Sequence, residues 1–391
     1  MKDIYIKGTG LTKFGESWNK DLRDLAFEAG IKAIKDAKID LKRSSNDTSA
    51  VRSGEIDAIY VANMNAGTFA GQEHLGALIS NIFNLDVPAF HIEAACASGG
   101  VAINQAYLAL QSGTYKNVLV LGVEKMTDQD AASVSKGLTS AADEEWEAHY
   151  GVTFPSLYAM ITQEHMRKYK TTKKDLALIA CKNHQNATLN PNAQFQKEIT
   201  IDNVLNASPV AEPLGLLDCS PITDGAAAII LSSNKKSEVR LIASEVSTST
   251  LALHNRKDIT TLDAAVKASK KAYKFANINS SDIDIAEVHD CFTIAEILAY
   301  EDLDFCKKGE GTKLIRKGLT NLNGKLPVNT SGGLKACGHP VGATGIKQVI
   351  EIATQLSGKG GIRQVKKNLK YGLTHNIGGS GATAVVNILT K

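Results

Sequence analysis

The chain has 391 residues, is 43% hydrophobic, and carries 44 basic and 41 acidic side chains for a formal net charge of +3. That size supports a large core or several domains, and the near-balance of charge argues against a nucleic-acid binder while leaving room for local basic patches that hold an anionic ligand. Glycine at 32 and proline at 8 exclude a fibre or a disordered tail.

Along the chain, KDIYIKG (2–8) reads as a strand and LRDLAFEAGIKAIKDA (22–37) as an amphipathic helix with small residues at helical spacing. IDAIYVAN (56–63) is the next strand, GALISNIFNL (76–85) a helix, PAFHIEA (88–94) a strand, SGGVAINQAYLALQSG (98–113) a helix stopped at Gly113, and NVLVLGVE (117–124) another strand. This alternation predicts an α/β protein with a parallel or mixed sheet under helical cover. Residues 125–224 lose the alternation, which returns at DGAAAIILSS (224–233). They read as an excursion from the core that lies over the active site.

The second half repeats the first. In LRDLAFEAGIKAIKDAKID and LDAAVKASKKAYKFANIN, Ala29, Ala33 and Ala37 align with Ala268, Ala272 and Ala276, and an "ID" strand follows each helix. ATGIKQVIEIATQLSG (343–358) then parallels the 98–113 helix, and GGSGATAVVNILT parallels DGAAAIILSS. Several matches in the same order indicate a duplicated αβ unit whose loops meet at one site.

The six cysteines, at 96, 181, 219, 291, 306 and 337, form no CxxC pair, which argues against a zinc knuckle and for free thiols in a reducing compartment. The start lacks the roughly 7–15-residue apolar stretch of a signal peptide, and no apolar window of about 18 residues suits a membrane span. The expectation is a cytoplasmic protein.

Three stretches carry chemistry. Cys96, in EAACASGG, lies just before a helix, where unpaired N–H groups and the helix dipole favour a thiolate and where an oxyanion can be held. His339, in GHPVGATG, is a general-base candidate stiffened by Pro340. His289 and Cys291, in VHDCFT, follow a strand and have i, i+2 spacing, so both can reach one cavity; Asp290 between them reads as a cap on the following helix. NTSGGLKACG (329–338) is not a phosphate loop and GTGLTKFG is not a dinucleotide fingerprint. Cys337 reads as a bystander of its turn, and the basic run HMRKYKTTKKD (165–175) as a solvated face or a contact for phosphates.

With Cys96, HDCF and GHPVGATG in this order, the sequence resembles the thiolase family over essentially its whole length, and is similar to the sterol-carrier-protein-type and archaeal acetoacetyl-CoA thiolases. The resemblance implies a thiolase-like fold: duplicated αβ halves forming a five-layered αβαβα core with an inserted loop domain. The expected division is a first half at 1–124 completed by 225–260, an insert at 125–224 and a second half at 261–391. It further implies an acetyl-CoA C-acetyltransferase that condenses two acetyl-CoA reversibly through an acetyl-cysteine; the alternatives are a 3-ketoacyl-CoA thiolase for longer chains, another condensing enzyme of the superfamily, or a non-catalytic lipid-carrier or scaffold on this fold.

By the same resemblance Cys96 is the nucleophile, His339 its activator, and Cys291 the acid/base thiol. His289 stands where common thiolases have an asparagine, and Asn376 where they have a second cysteine. His289 and His339 form one oxyanion hole, and Cys96 and Gly378 the other. The substrates are coenzyme A thioesters, with no metal or redox cofactor. The expected partners are a second copy, as homodimer or homotetramer, and by family habit a hydroxymethylglutaryl-CoA synthase and a small zinc-containing linking protein.

Overall fold

The computed structural model describes residues 2–39 and 55–391. In chain order the first part holds β1 (Ile4–Leu11), α1 (Leu22–Asp36), β2 (Ala58–Ala62), α2 (Ala66–Ala70), α3 (Leu75–Ile82), β3 (Ala89–Ile92), α4 (Ser98–Ser112) and β4 (Asn117–Glu124). Then come α5 (Ala131–Thr139), α6 (Phe154–Tyr169), α7 (Lys173–Thr188), α8 (Ile201–Leu205) and a small hairpin, β5 (Pro209–Ala211) and β6 (Leu214–Gly215). The rest is β7 (Gly225–Ser232), β8 (Arg240–Thr248), α9 (Asp263–Ala276), β9 (Ile285–Glu287), α10 (Thr293–Asp302), α11 (Gly311–Arg316), α12 (Gly333–Cys337), α13 (Val341–Leu356), β10 (Tyr371–Gly378) and β11 (Thr383–Thr390).

Nine strands form one hydrogen-bonded sheet in the order β3-β2-β4-β7-β1-β8-β11-β10-β9. Its centre is thin: β1 and β8 pair only at Ile4–Leu241 and Tyr5–Arg240. On either side the wings mirror each other. β4 runs antiparallel to β7 and parallel to β2; β10 runs antiparallel to β11 and parallel to β9. A parallel bridge from Ala286 to Val328 stands where β3 stands in the first wing. The expected division gave 225–260 to the first half. Hydrogen bonding ties β7 to β4 and β1, but ties β8 along its length to β11.

Helices α4 and α13 pack on each other and touch strands of both wings, while α1 covers β1, β4 and β7, and α9 covers β8 and β11. The wings therefore face each other across two central helices, giving the five layers. Burial follows the layering. β4 is buried at every position, as a central strand covered on both faces must be, and α13 is buried at every position but Thr354. The repeated alanines serve close packing: a Cβ on Gly10 of β1 would lie 2.0 Å from the Ala29 carbonyl oxygen. Between β4 and β7, none of α5–α8 or the β5–β6 hairpin joins the main sheet.

Candidate active site

Cys96 sits two residues before α4, in a turn held by its neighbours. Ala95 adopts the left-handed conformation at φ 52°, a strained position for a non-glycine residue. The Ser98 hydroxyl donates to the Ala95 carbonyl at 2.6 Å and accepts from the Ala94 N–H at 2.9 Å. The glycines after Cys96 bring the two central helices together. A Cβ on Gly99 would stand 2.8 Å from the Gly342 oxygen and 3.0 Å from the Gly345 nitrogen. SGG and GATG are thus the two sides of one helix contact, and His339 also lies two residues before its helix, α13.

Glu124, at the end of β4, fastens this corner. Its buried carboxylate accepts from the N–H groups of Met64 and Gly342 at 3.0 Å each, from Asn65 at 3.3 Å and from the Asn63 amide at 2.8 Å. Burial pushes its carboxyl up to about 7 against the pull of those donors.

His339 donates its backbone N–H to Thr223 Oγ1 at 3.0 Å, and its Nδ1 lies 2.7 Å from Thr344 Oγ1. His289 Nδ1 lies 3.1 Å from Asn376 Nδ2. The two rings meet edge to face at 5.0 Å. Cys96 Sγ and one ring nitrogen from each histidine lie within 4.8 Å of one another, and both Nε2 atoms are buried without a hydrogen-bond partner among the described residues.

A cavity of about 190 Å³ opens onto this group, lined by Cys96, Cys291, His339, Gly379 and Cys219, with walls from Met126, Val134, Leu138, Phe154, Tyr158 and Phe292. The structure thus brings together Cys96, His289, Cys291 and His339. Gly378 closes β10 opposite Thr383. The next residue, Gly379, turned at φ 61°, lines the cavity together with Cys96.

Asp290 does not cap the helix that follows it. Its carboxylate accepts from the N–H groups of Leu334 at 2.6 Å and Lys335 at 3.2 Å, at the start of α12. Cys337 is buried in α12 outside the cavity, with its sulphur 3.5 Å from Asn190 Nδ2. In the basic run, Lys168 pairs with Glu164 and Asp258 and Lys173 with Glu212, and His165 is buried against Thr171. Its charges are largely answered within the chain.

Two residues at the site carried no motif. Tyr158 of α6 stacks on Phe292 at 4.5 Å and points its hydroxyl at the Gly379 carbonyl oxygen, 3.3 Å away. Cys219 is joined to Phe292 by a β-bridge. Both come from the irregular 125–224 stretch, where periodicity gives no register.

Burial sets the electrostatics. It pushes the Cys96 thiol up to about 12, against the lowering effect of the Gly379 backbone, and raises Cys291 well above the ordinary thiol value. Burial, then the Lys347 charge, pushes His339 down to about 3, and burial with the neighbouring histidines lowers His289 far below the usual range. At neutral pH the site therefore holds neutral thiols and neutral imidazoles. The helix terminus expected to favour a thiolate is outweighed by desolvation. Alkylation of Cys96 by iodoacetamide, which needs the thiolate, should accordingly rise without a plateau from about pH 6 to about pH 10. A plateau beginning at acidic pH would reveal a preformed thiolate–imidazolium pair.

A thiol near a helix mouth, two imidazoles and a second thiol, supplied by loops of two similar halves, thus stand together at one place in the fold. Residues 4–235 match the thiolase N-terminal domain and residues 245–391 the thiolase C-terminal domain-like family. The chain belongs to the thiolase family and is an acyltransferase. It is 47% identical to an acetyl-CoA acetyltransferase of Methanothermobacter thermautotrophicus, over 100% of both chains, and 35% identical to sterol carrier protein 2 of Bos taurus, over 98% of this chain and 71% of that one. Among solved structures the Ltp2-ChsH2(DUF35) aldolase is similar in fold, with a TM-score of 0.81 at 22% identity, over 98% of this chain and 97% of that one.

Proposed function

We propose that the chain is an acetyl-CoA C-acetyltransferase that joins two acetyl-CoA into acetoacetyl-CoA and free coenzyme A, and runs in reverse as a thiolase. The observation that carries this reading is the meeting of Cys96, His289 and His339 beside a cavity that Cys96, His339 and Cys291 line. The cavity is smaller than the roughly 300–1,000 Å³ that drug-sized ligands occupy, which suits the acyl end of a thioester with its nucleotide outside.

In the proposed sequence His339 Nε2 takes the Cys96 proton as sulphur attacks the thioester carbonyl. The oxyanion rests on the backbone N–H groups of Cys96 and Gly378. Cys291 gives its proton to the departing coenzyme A, which leaves as a thiol, and acetyl-Cys96 remains with His339 protonated. The Cys291 thiolate so formed removes an α-proton from the second acetyl-CoA, His289 and His339 donate to the enolate oxygen, and the carbanion attacks acetyl-Cys96; the Cys96 thiolate released takes its proton back from His339. The burial that keeps both imidazoles neutral also keeps water from the acyl-enzyme. Chemistry written this way draws on no metal or redox cofactor.

The test is direct. After incubation with acetyl-CoA and an acid quench, peptide mass spectrometry should place the acetyl group on Cys96 alone; an acetyl group on Cys291 would overturn the assignment.

We place the protein in the cytoplasm; no helix among the described residues is long and apolar enough to cross a membrane. As partners we propose a second copy, in a homodimer or homotetramer, together with a hydroxymethylglutaryl-CoA synthase and a small zinc-containing linking protein. The edge strand β3, with Phe90 41% exposed, supports self-association.

A further inference from the structure

Asn376 ends in the middle of the site. Its Oδ1 accepts from the Gly100 N–H at 3.0 Å, and its Nδ2 donates to the Cys96 carbonyl oxygen at 2.9 Å. Both partners are backbone groups of fixed polarity, so the orientation of the amide is settled by chemistry. Nδ2 has a second hydrogen, and the atom in front of it is His289 Nδ1, 3.1 Å away. That nitrogen must accept. In a neutral imidazole the proton then sits on Nε2, the atom that is buried without a partner among the described residues.

The consequence is chemical. Cys96, His289 and His339, with ligand atoms within 4.8 Å of one another, supply three protein ligands of the types that bind zinc in open sites. A metal-binding histidine normally gives its far N–H to a carboxylate or carbonyl, leaving the near nitrogen free to ligate. Here His289 Nδ1 faces a donor instead, and Nε2, left to carry the proton, has no partner among the described residues. The space for that donor is deliberate: a Cβ on Gly345 would lie 2.3 Å from Asn376 Oδ1 and one on Gly100 2.9 Å from it.

We infer that Asn376 is a positioning residue: by donating to His289 Nδ1 it holds the proton on Nε2, so that the Cys96–His289–His339 group offers a hydrogen-bond donor to a developing enolate oxygen and withholds a third ligand from a divalent cation. The inference rests on the reading of this group as the reacting set, and its test reads the tautomer and the metal separately from turnover.

The first measurement is nitrogen NMR of the full-length protein labelled with ¹⁵N in histidine, with His289 assigned by its loss in His289→Asn. Nδ1 of His289 should show the unprotonated signature and Nε2 the protonated one; the reverse would overturn the inference. Asn376→Asp keeps the shape and the acceptor for Gly100 but exchanges the donor for an acceptor. It should move the proton to Nδ1 and tighten binding of Co²⁺ or Zn²⁺ by about 10–100-fold over the parent protein. The Co²⁺ form should absorb through a thiolate, and that band should vanish in Asn376→Asp combined with Cys96→Ala. Equal metal affinity in parent and variant would sink the proposal. Should Asn376→Asp not fold, the tautomer in the parent protein decides the matter alone. Acetylation of Cys96 answers the separate question of the reaction itself.

Discussion

Replacing Cys291 with alanine is expected to leave acetyl transfer to Cys96 in place and to lower condensation by at least about 10²–10⁴-fold, the usual worth of a positioned proton-transfer group. Acyl capture needs the nucleophile and His339, and both remain, while coenzyme A can depart as its thiolate when Cys291 gives it no proton. Condensation needs a base at the α-carbon, and Cys291 is the other thiol of the proposed reacting set that lines the cavity with Cys96 and His339. The variant should also fail to exchange α-deuterium from labelled acetyl-CoA, whereas Cys96→Ala should abolish acylation and retain slow exchange. The substitution is small, so gross misfolding is not the expected cause of the loss. Near-normal acetoacetyl-CoA synthesis by Cys291→Ala would move the second role elsewhere, with Cys219 next to test because its residue lines the same cavity.

Glu287→Ala is expected to cost about 3–5 kcal/mol of stability, a large share of the roughly 5–15 kcal/mol that keeps a protein folded. Lys347, on central helix α13, is buried with its ammonium 3.1 Å from the Glu287 carboxylate, beside the Ser331 hydroxyl and 3.3 Å from the Gly333 carbonyl oxygen. The Ser331 N–H donates to the same carboxylate at 3.1 Å. Removing Glu287 strands a positive charge between the wings and frees the loop that leads into α12 and the His339 turn. Replacing both Glu287 and Lys347 with methionine should cost less than the single change, because no unpaired charge is left behind. Denaturant midpoints of the parent and the two variants check this; a double variant weaker than the single one would show that packing, and not the orphaned charge, governs the site.

The order of Cys96, HDCF and GHPVGATG was enough to expect the duplicated fold and to name the side chains that converge, because each stands beside a helix start or a strand end that the local pattern announces. What the sequence did not disclose depends on distances between remote atoms. Asp290 was read as a cap for the helix next in sequence, yet it caps one more than forty residues away. The neutral state of the thiol was hidden because a helix terminus is visible in sequence and the depth of burial is not. Tyr158 lay in a stretch with no periodicity to orient it. β8 follows β7 in sequence, yet its long ladder is with β11, at the other end of the chain.

The mirrored wings bear on how such a centre can arise. Cys96 precedes α4 by two residues and His339 precedes α13 by two, and these two helices are counterparts in the repeat, lying side by side in the middle layer. The proposed nucleophile and base therefore occupy the same address in the two copies. Two identical subunits meeting about that axis would place the same side chain there twice, thiol against thiol or imidazole against imidazole. A thiol facing its own base requires the copies to be encoded separately along one polypeptide, so that each can change without the other. Covalent fusion in this architecture is the condition for unlike partners at the centre: the asymmetry of the chemistry is inherited from the linearity of the chain.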